Sequence, residues 1–269
     1  MNKYTVLTYI IGNYEKVHEL NFDPSLTPHV EYLLVTDIKD LKSNTWTVVY
    51  DEELDKPELL AFDRVFHIRY NLFKYTNNDI VVRLDGSIGV NRPLDDIVSE
   101  FINGNYDGCI NIHPGRDSII DECFTWCLVR GFPPINSLYQ INYIQKAFGY
   151  DFNKRGLIEL NISINKRGYI TNEIDNNMQR ALIAGNIENF LTEKKDDNKH
   201  FTRLDQTIFT AFINTFYSDK KWMFVNDSLF REDGPLSWYC HNSDNRMIIR
   251  PETFIDSYFN GQKVEVKKF

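Results

Sequence analysis

The chain has 269 residues, 42% of them hydrophobic and 25% charged. A protein of this length buries roughly 75% of its unfolded surface, so it can build a core without disulfide or metal staples. Thirty Lys and Arg against 38 Asp and Glu leave a formal charge of −8, which argues against nucleic acid as a partner and requires any phosphate to be bound locally.

The opening run from Tyr4 to Ile11 is apolar and β-branched and ends at Gly12-Asn13. It is too short and too polar for a membrane span or a signal core, and it predicts a first strand. Tyr14 to Leu20 has helical composition. Glu31 to Asp37 and Trp46 to Tyr50 predict two further strands, the first ending on a carboxylate. A helix is expected over Pro57 to Phe73, with Leu59, Leu60, Val65, Phe66 and Tyr70 on related faces, followed by a buried strand from Asp79 to Leu84. Strand and helix alternating in this way predict a mainly parallel sheet whose ligands bind outside the carboxyl ends of its strands. Further along, Tyr106 to Ile112 and Leu157 to Asn165 predict strands, and Ser137 to Phe148 and Asp205 to Phe216 predict helices. The polar run Glu193 to His200 predicts a loop, and Lys263 to Phe269 a solvated tail. No stretch reaches the ~18 apolar residues of a membrane span. Cys109, Cys123, Cys127 and Cys240 form no disulfide framework, and Cys123 and Cys127, one helical turn apart, lack a CxxC pair or matching histidines. A reducing, cytoplasmic setting is expected, with the slightly basic tail able to touch an anionic surface.

Asp85 ends the Asp79 strand, where a carboxylate facing the crevice suits a hard cation, although an Asp-Gly turn alone also explains it. His113 and Arg116 flank a Pro-Gly turn and can meet a phosphate or a hydroxyl; Arg116 can equally pair with Asp117, Asp121 or Glu122. Alternation puts Leu157, Glu159 and Asn161 on one strand face, suited either to gripping a sugar or to facing solvent from an edge strand. Asp205-Gln206 opens an apolar helix, where Asp can act as an N-cap. Gly12 and Asn13 permit a tight turn at the end of the first strand, and Asp37 can accept from a ribose hydroxyl or a base edge. Neither GxGxxG nor GxxxxGK[ST] is present, which removes the main support for nicotinamide-type and P-loop chemistry.

Taken in order, several of these segments resemble the glycosyltransferase-like domain family of the plant TOD and mucilage type, related to family-8-like nucleotide-sugar glycosyltransferases. The matching segments are the first strand with Gly12-Asn13-Tyr14, Glu31 to Asp37, Arg64 in the helix before the Asp85 strand, and Leu84-Asp85-Gly86-Ser87-Ile88. Downstream lie His113 to Asp117 with Glu122, Gly156 to Asn161, Asp205-Gln206, and the stretch around Trp238 and His241. The resemblance spans about residues 4 to 241. It implies an α/β fold of GT-A type, with a mainly parallel central sheet and helices on both faces. It also implies one domain over 1–269, with a nucleotide-binding half at about 1–100, an acceptor-side half at 101–250 and a tail at 251–269.

The implied activity is transfer of a hexose from a nucleoside diphosphate sugar, UDP-sugar being favoured, to a glycan or other hydroxyl acceptor, as in polysaccharide biosynthesis. Gly12, Asn13, Asp37, Arg64, Asp85, Ser87, His113, Arg116 and Asn161 would bind substrate, and Asp205, Gln206 and Glu159 would take part in the chemistry. A manganese or magnesium ion would be held by Asp85 and His241. The family carries Asp-x-Asp where this chain has Asp85-Gly86-Ser87, and a hydroxyl is a poorer cation ligand than a carboxylate. His241 can equally be a hydrogen-bonding surface residue. A catalytically silent sugar-binding module and a sugar nucleotidyltransferase are the competing expectations.

Overall fold

The computed structural model describes residues 2–12, 14–56, 59, 61–113, 115–130, 134–184, 204–231, 233–239, 245–247 and 256–269. The first half holds β1 (Tyr4–Ile10), β2 (Val30–Thr36), β3 (Thr47–Tyr50), α1 (Ala61–Arg69), β4 (Ile80–Leu84), β5 (Ile88–Val90) and α2 (Asp95–Asn103). It continues with β6 (Gly108–Ile112), α3 (Ile119–Arg130), α4 (Pro134–Phe148), β7 (Ile158–Lys166), α5 (Tyr169–Ala184), α6 (Leu204–Phe216) and β8 (Trp222–Asn226). Short strands β9 (Leu236–Tyr239), β10 (Arg246–Met247), β11 (Tyr258–Phe259) and β12 (Gln262–Lys263) follow.

A seven-stranded sheet runs in the order β3-β2-β1-β4-β7-β6-β8. β7 is antiparallel to both neighbours, and the other strand pairs are parallel. This is the mainly parallel α/β arrangement that the resemblance implies. Its two-residue alternation is visible in β1, where Leu7 and Tyr9 pack with Ile68 beneath α1, while Val6 and Ile10 pack with Ile97, Val98 and Phe101 of α2 on the other face. β1 and β4 are buried at every position, which explains why they read as continuous apolar runs. A smaller sheet, β10-β9-β5, grows out of the turn after β4, where the Tyr239 N–H donates to the Ser87 carbonyl at 2.9 Å.

The helix expected over Tyr14 to Leu20 does not form. Its polar groups bond instead to the 43–46 loop. The Leu20 N–H donates to Thr45 Oγ1 at 2.9 Å, Trp46 Nε1 donates to the His18 carbonyl at 2.9 Å, and the Glu19 carboxylate accepts from the Asn44 and Thr45 N–H groups. The helix expected over Pro57 to Phe73 is the shorter α1, ended by a separate 3-10 turn over Leu72–Lys74. α2, with Asp95 and Asp96 favourably placed in its first turn, was not anticipated, nor were α3, α5 and β8. Residues 193–200 lie outside the described residues.

One irregularity shapes the site. The β6–β7 register shifts between Ile110 and Asn111, so Ile110 pairs with Ser163 but Asn111 pairs with Glu159. This bulge in β7 reverses which face its side chains point to, and it frees the Leu160 carbonyl, which accepts from Arg83 Nη1 at 2.8 Å.

Candidate active site

The carboxyl ends of β1, β2, β4, β6 and β8 and the amino end of antiparallel β7 meet at one edge of the sheet. Ligands of open α/β sheets bind at such an edge. Most of the sequence-predicted residues collect there in three groups.

The first group closes the ends of β1 and β2. Gly12 has φ +55, in the region that favours glycine, and its N–H donates to Asp37 Oδ1 at 2.8 Å. Arg64 of α1 donates through Nη1 to Asp37 Oδ2 at 2.5 Å and through Nη2 to the Lys56 carbonyl at 2.9 Å. Gly12, Asp37 and Arg64 are thus brought together, and Asn13 lies outside the described residues.

The second group surrounds Asp85. A Cβ on Gly86 would lie 2.5 Å from the Tyr9 carbonyl oxygen, so the turn after β4 admits only glycine there. Asp85 Oδ1 accepts from Tyr9 OH at 2.5 Å, Arg69 Nη2 at 2.8 Å and Arg83 Nη1 at 2.9 Å. Arg69 also donates from Nη1 to Asp205 Oδ2 and from Nε to Tyr9 OH at 2.9 Å. One guanidinium, with a side chain only 12% exposed, therefore bridges Asp85 of β4's end to Asp205 of α6. Burial pushes the Asp85 carboxyl up, but the charges of Arg69 and Arg83 and the bonds from Tyr9 and Arg69 outweigh it, holding its pKa below the ordinary carboxylate value. Burial opposes the charge on Arg69, and Asp85 and Asp205 reverse that effect, so its pKa stands well above the usual arginine value. Asp205 sits in the first turn of α6 rather than capping it, and this ion pair accounts for its burial. Gln206 is buried beside it, with Nε2 lacking a hydrogen-bond partner among the described residues.

The third group lies across β6, β7 and the end of β8. The Asn111 amide donates to Asn161 Oδ1 at 2.7 Å and to Glu159 Oε2 and Asp227 Oδ1, both at 3.3 Å. β7 is a central strand, so Glu159 and Asn161 are buried and do not face solvent from a sheet edge. His113 Nε2 lies 3.9 Å from Glu159 Oε1, His113 is hydrogen-bonded to Arg116, and Arg116 Nε pairs with Glu122 Oε2 at 2.7 Å. Of the acidic partners considered for Arg116 the structure selects Glu122, which is buried. Burial raises the Asp227 carboxyl to about 6, against the bonds from Asn111 and Glu159 and the charge of Arg116. Asn111 Oδ1 and Asn161 Nδ2 are buried without partners among the described residues. Unsatisfied amide atoms of this kind are expensive in a finished core and are suited to a polar ligand.

Ser87 is buried in the turn, and His241 lies outside the described residues together with Cys240. Cys109 and Cys123 are buried free thiols, and Cys127 contacts the Ser137 hydroxyl at 3.2 Å. Tyr9, Arg69, Arg83, Asn111 and Asp227 escaped sequence reasoning. Arg83 and Asn111 carried a signal, since each is a charged or amide residue inside an otherwise apolar strand, where burial demands a partner.

The Asp85 donor set does not fit a resident divalent cation among the described residues. It offers one carboxylate, whose Oδ1 is already shared by two guanidiniums, and a hydroxyl where a second carboxylate would stand. Each unit of like charge brought to roughly 4 Å of a guanidinium adds about 4 kcal/mol at an effective dielectric near 20. Elsewhere, Asp51, Glu53 and His67 hold ligand atoms within 4.8 Å of one another, a grouping that can hold a metal ion. The Lys74 ammonium already lies 2.9 Å from Asp51 and 2.6 Å from Glu53 and supplies the positive charge there.

No protein-family model and no curated protein matches the chain. Among solved structures it is similar to the apo form of the glycosyltransferase GlyE of Streptococcus pneumoniae TIGR4, with 13% identity and a TM-score of 0.39 over 86% of this chain and 47% of that one. A second structure of the same glycosyltransferase gives 14% identity and a TM-score of 0.36 over the same shares. The chain spans about half the length of these structures. Among the described residues, no helix is long and apolar enough to cross a membrane.

Proposed function

We propose that the chain is a glycosyltransferase that moves a sugar from a nucleoside diphosphate sugar to a hydroxyl acceptor. The observation that carries this is the Asp85–Arg69–Asp205 bridge at the carboxyl edge of the sheet, which joins the end of β4 to α6. Gly12, Asp37 and Arg64 form the corner for the base and ribose. Asp85 and Ser87 lie under the diphosphate, with Arg69 and Arg83 as the positive charges beside it.

Asp205 and Gln206 flank the transferred sugar, Gln206 offering its unpartnered Nε2. Asn161, Glu159, His113 and Arg116 face the acceptor. In the transfer, the acceptor oxygen bonds to the anomeric carbon while the bond from that carbon to the diphosphate oxygen breaks. The bonding pair leaves with the diphosphate, and the acceptor's proton passes to the Glu159 carboxylate. Stabilising charge that builds on the leaving group is the largest task of such a site, and fixed guanidiniums can perform it. The manganese or magnesium ion implied by the resemblance has no part in this mechanism.

A donor screen tests the proposal. UDP- and GDP-sugars are expected to raise the melting temperature, and one of them to release nucleoside diphosphate when an acceptor panel is added. A binder that releases nothing across that panel would favour a silent sugar-binding module.

A further inference from the structure

The ionic arrangement around Asp85 points to a specific chemistry for the anion it meets. Arg83 is an arginine inside β4, with its side chain 3% exposed, yet it is aimed at the turn: Nη1 reaches Asp85 Oδ1 and the bulge-freed Leu160 carbonyl, and Nε reaches Ser163 Oγ at 3.1 Å. Arg69 approaches the same carboxylate oxygen from α1, with its second nitrogen on Asp205. Tyr9 donates its hydroxyl to that oxygen as well. Two guanidiniums thus converge on a single oxygen of this carboxylate, Oδ1, and Ser87 contributes no charge to hold a cation beside it. Arg83 projects from strand β4 and Arg69 from the end of helix α1, with side chains only 3% and 12% exposed.

We propose that at this site the Arg69 and Arg83 guanidiniums take the place of a divalent cation, so that a diphosphate group binds without one. Arginine suits the task because its planar fork meets two phosphate oxygens at once and keeps its charge at any working pH. Asp85 and Asp205 then serve as anchors that hold Arg69 in register before the anion arrives. The proposal rests on the donor-site assignment above only for the identity of the ligand that carries the diphosphate.

The test uses the full chain, with inorganic pyrophosphate and UDP as probes, each titrated in chelator and in manganese. Equal affinity in both conditions, within about threefold, is expected. Arg69→Met should lose the binding, and Arg69→Lys, which keeps the charge, should retain it to within about tenfold. Manganese bound to the protein, followed by electron paramagnetic resonance, should be unchanged by Asp85→Asn, whatever Asp51, Glu53 and His67 bind. Pyrophosphate bound in chelator without any UDP or GDP binding would keep the proposal and sink the nucleotide-sugar assignment. Loss of pyrophosphate binding on chelation with recovery in manganese, a manganese signal that disappears in Asp85→Asn, or no pyrophosphate binding under either condition would overturn it.

Discussion

Asp85 and Asp227 occupy equivalent places, each the first residue beyond a parallel strand at the same edge of the sheet, yet their carboxyl groups are perturbed in opposite directions. Burial raises both. At Asp85 two guanidiniums and a phenol outweigh it and the pKa falls; at Asp227 the nearest partners are an amide and another carboxyl, Glu159, and the pKa rises to about 6. Position in the fold therefore brings a carboxylate to the crevice, and its neighbours decide its charge. The Asp85 corner is a balanced set of two acids and two arginines. The Asn111–Glu159–Asp227 corner has an excess of acid and holds a proton more readily.

The largest expected effect comes from breaking the balanced corner. Arg69→Met strands the buried Asp205 carboxylate, leaves Asp85 with Arg83 alone, and should cost about 3–5 kcal/mol in urea unfolding at neutral pH. Adding Asp205→Asn to that variant should recover part of the loss, and a double variant no more stable than Arg69→Met alone would mean that the bridge is not the source.

Next comes the acidic corner. With its folded pKa near 6 and an ordinary value of 3.8, Asp227 withdraws stability as pH rises from about 3.8 through about 6, and the withdrawal is complete above that. Asp227→Asn should therefore be more stable than wild type above pH 7, by at most about 3 kcal/mol, with the difference closing as pH approaches 4. Denaturant curves at several pH values would measure this; a gap that stays constant with pH would show that Asp227 does not titrate as described.

The smallest expected effect tests the turn that carries Asp85. Gly86→Ala forces a methyl against the Tyr9 carbonyl and should lower stability by about 1–3 kcal/mol. An unchanged melting temperature would show that the turn can shift.

The same contrast explains what the sequence disclosed. β1, β2, β4 and β6 were legible because strands covered on both faces read as apolar runs, and Asp37, Asp85 and His113 were legible as polar residues placed just beyond them. The antiparallel direction of β7 and its bulge were not, since both depend on pairing with strands far along the chain. Arg64 entered only through the family resemblance, and Arg69, whose carboxylate partners lie 16 and 136 positions away, carried no signal of its own. The Tyr14 to Leu20 helix failed because hydrogen bonds to the 43–46 loop, invisible to local composition, took up its backbone groups.

The central claim is that the Asp85–Arg69–Asp205 bridge marks a nucleotide-sugar site, and calorimetric titration of nucleotide sugars into wild type and Asp205→Asn tests it most directly. Wild type should bind at least one UDP- or GDP-sugar, and Asp205→Asn, checked to be folded by its melting temperature, should bind it at least about tenfold more weakly. Equal affinity in the two proteins, or no nucleotide sugar bound by wild type, would contradict the account.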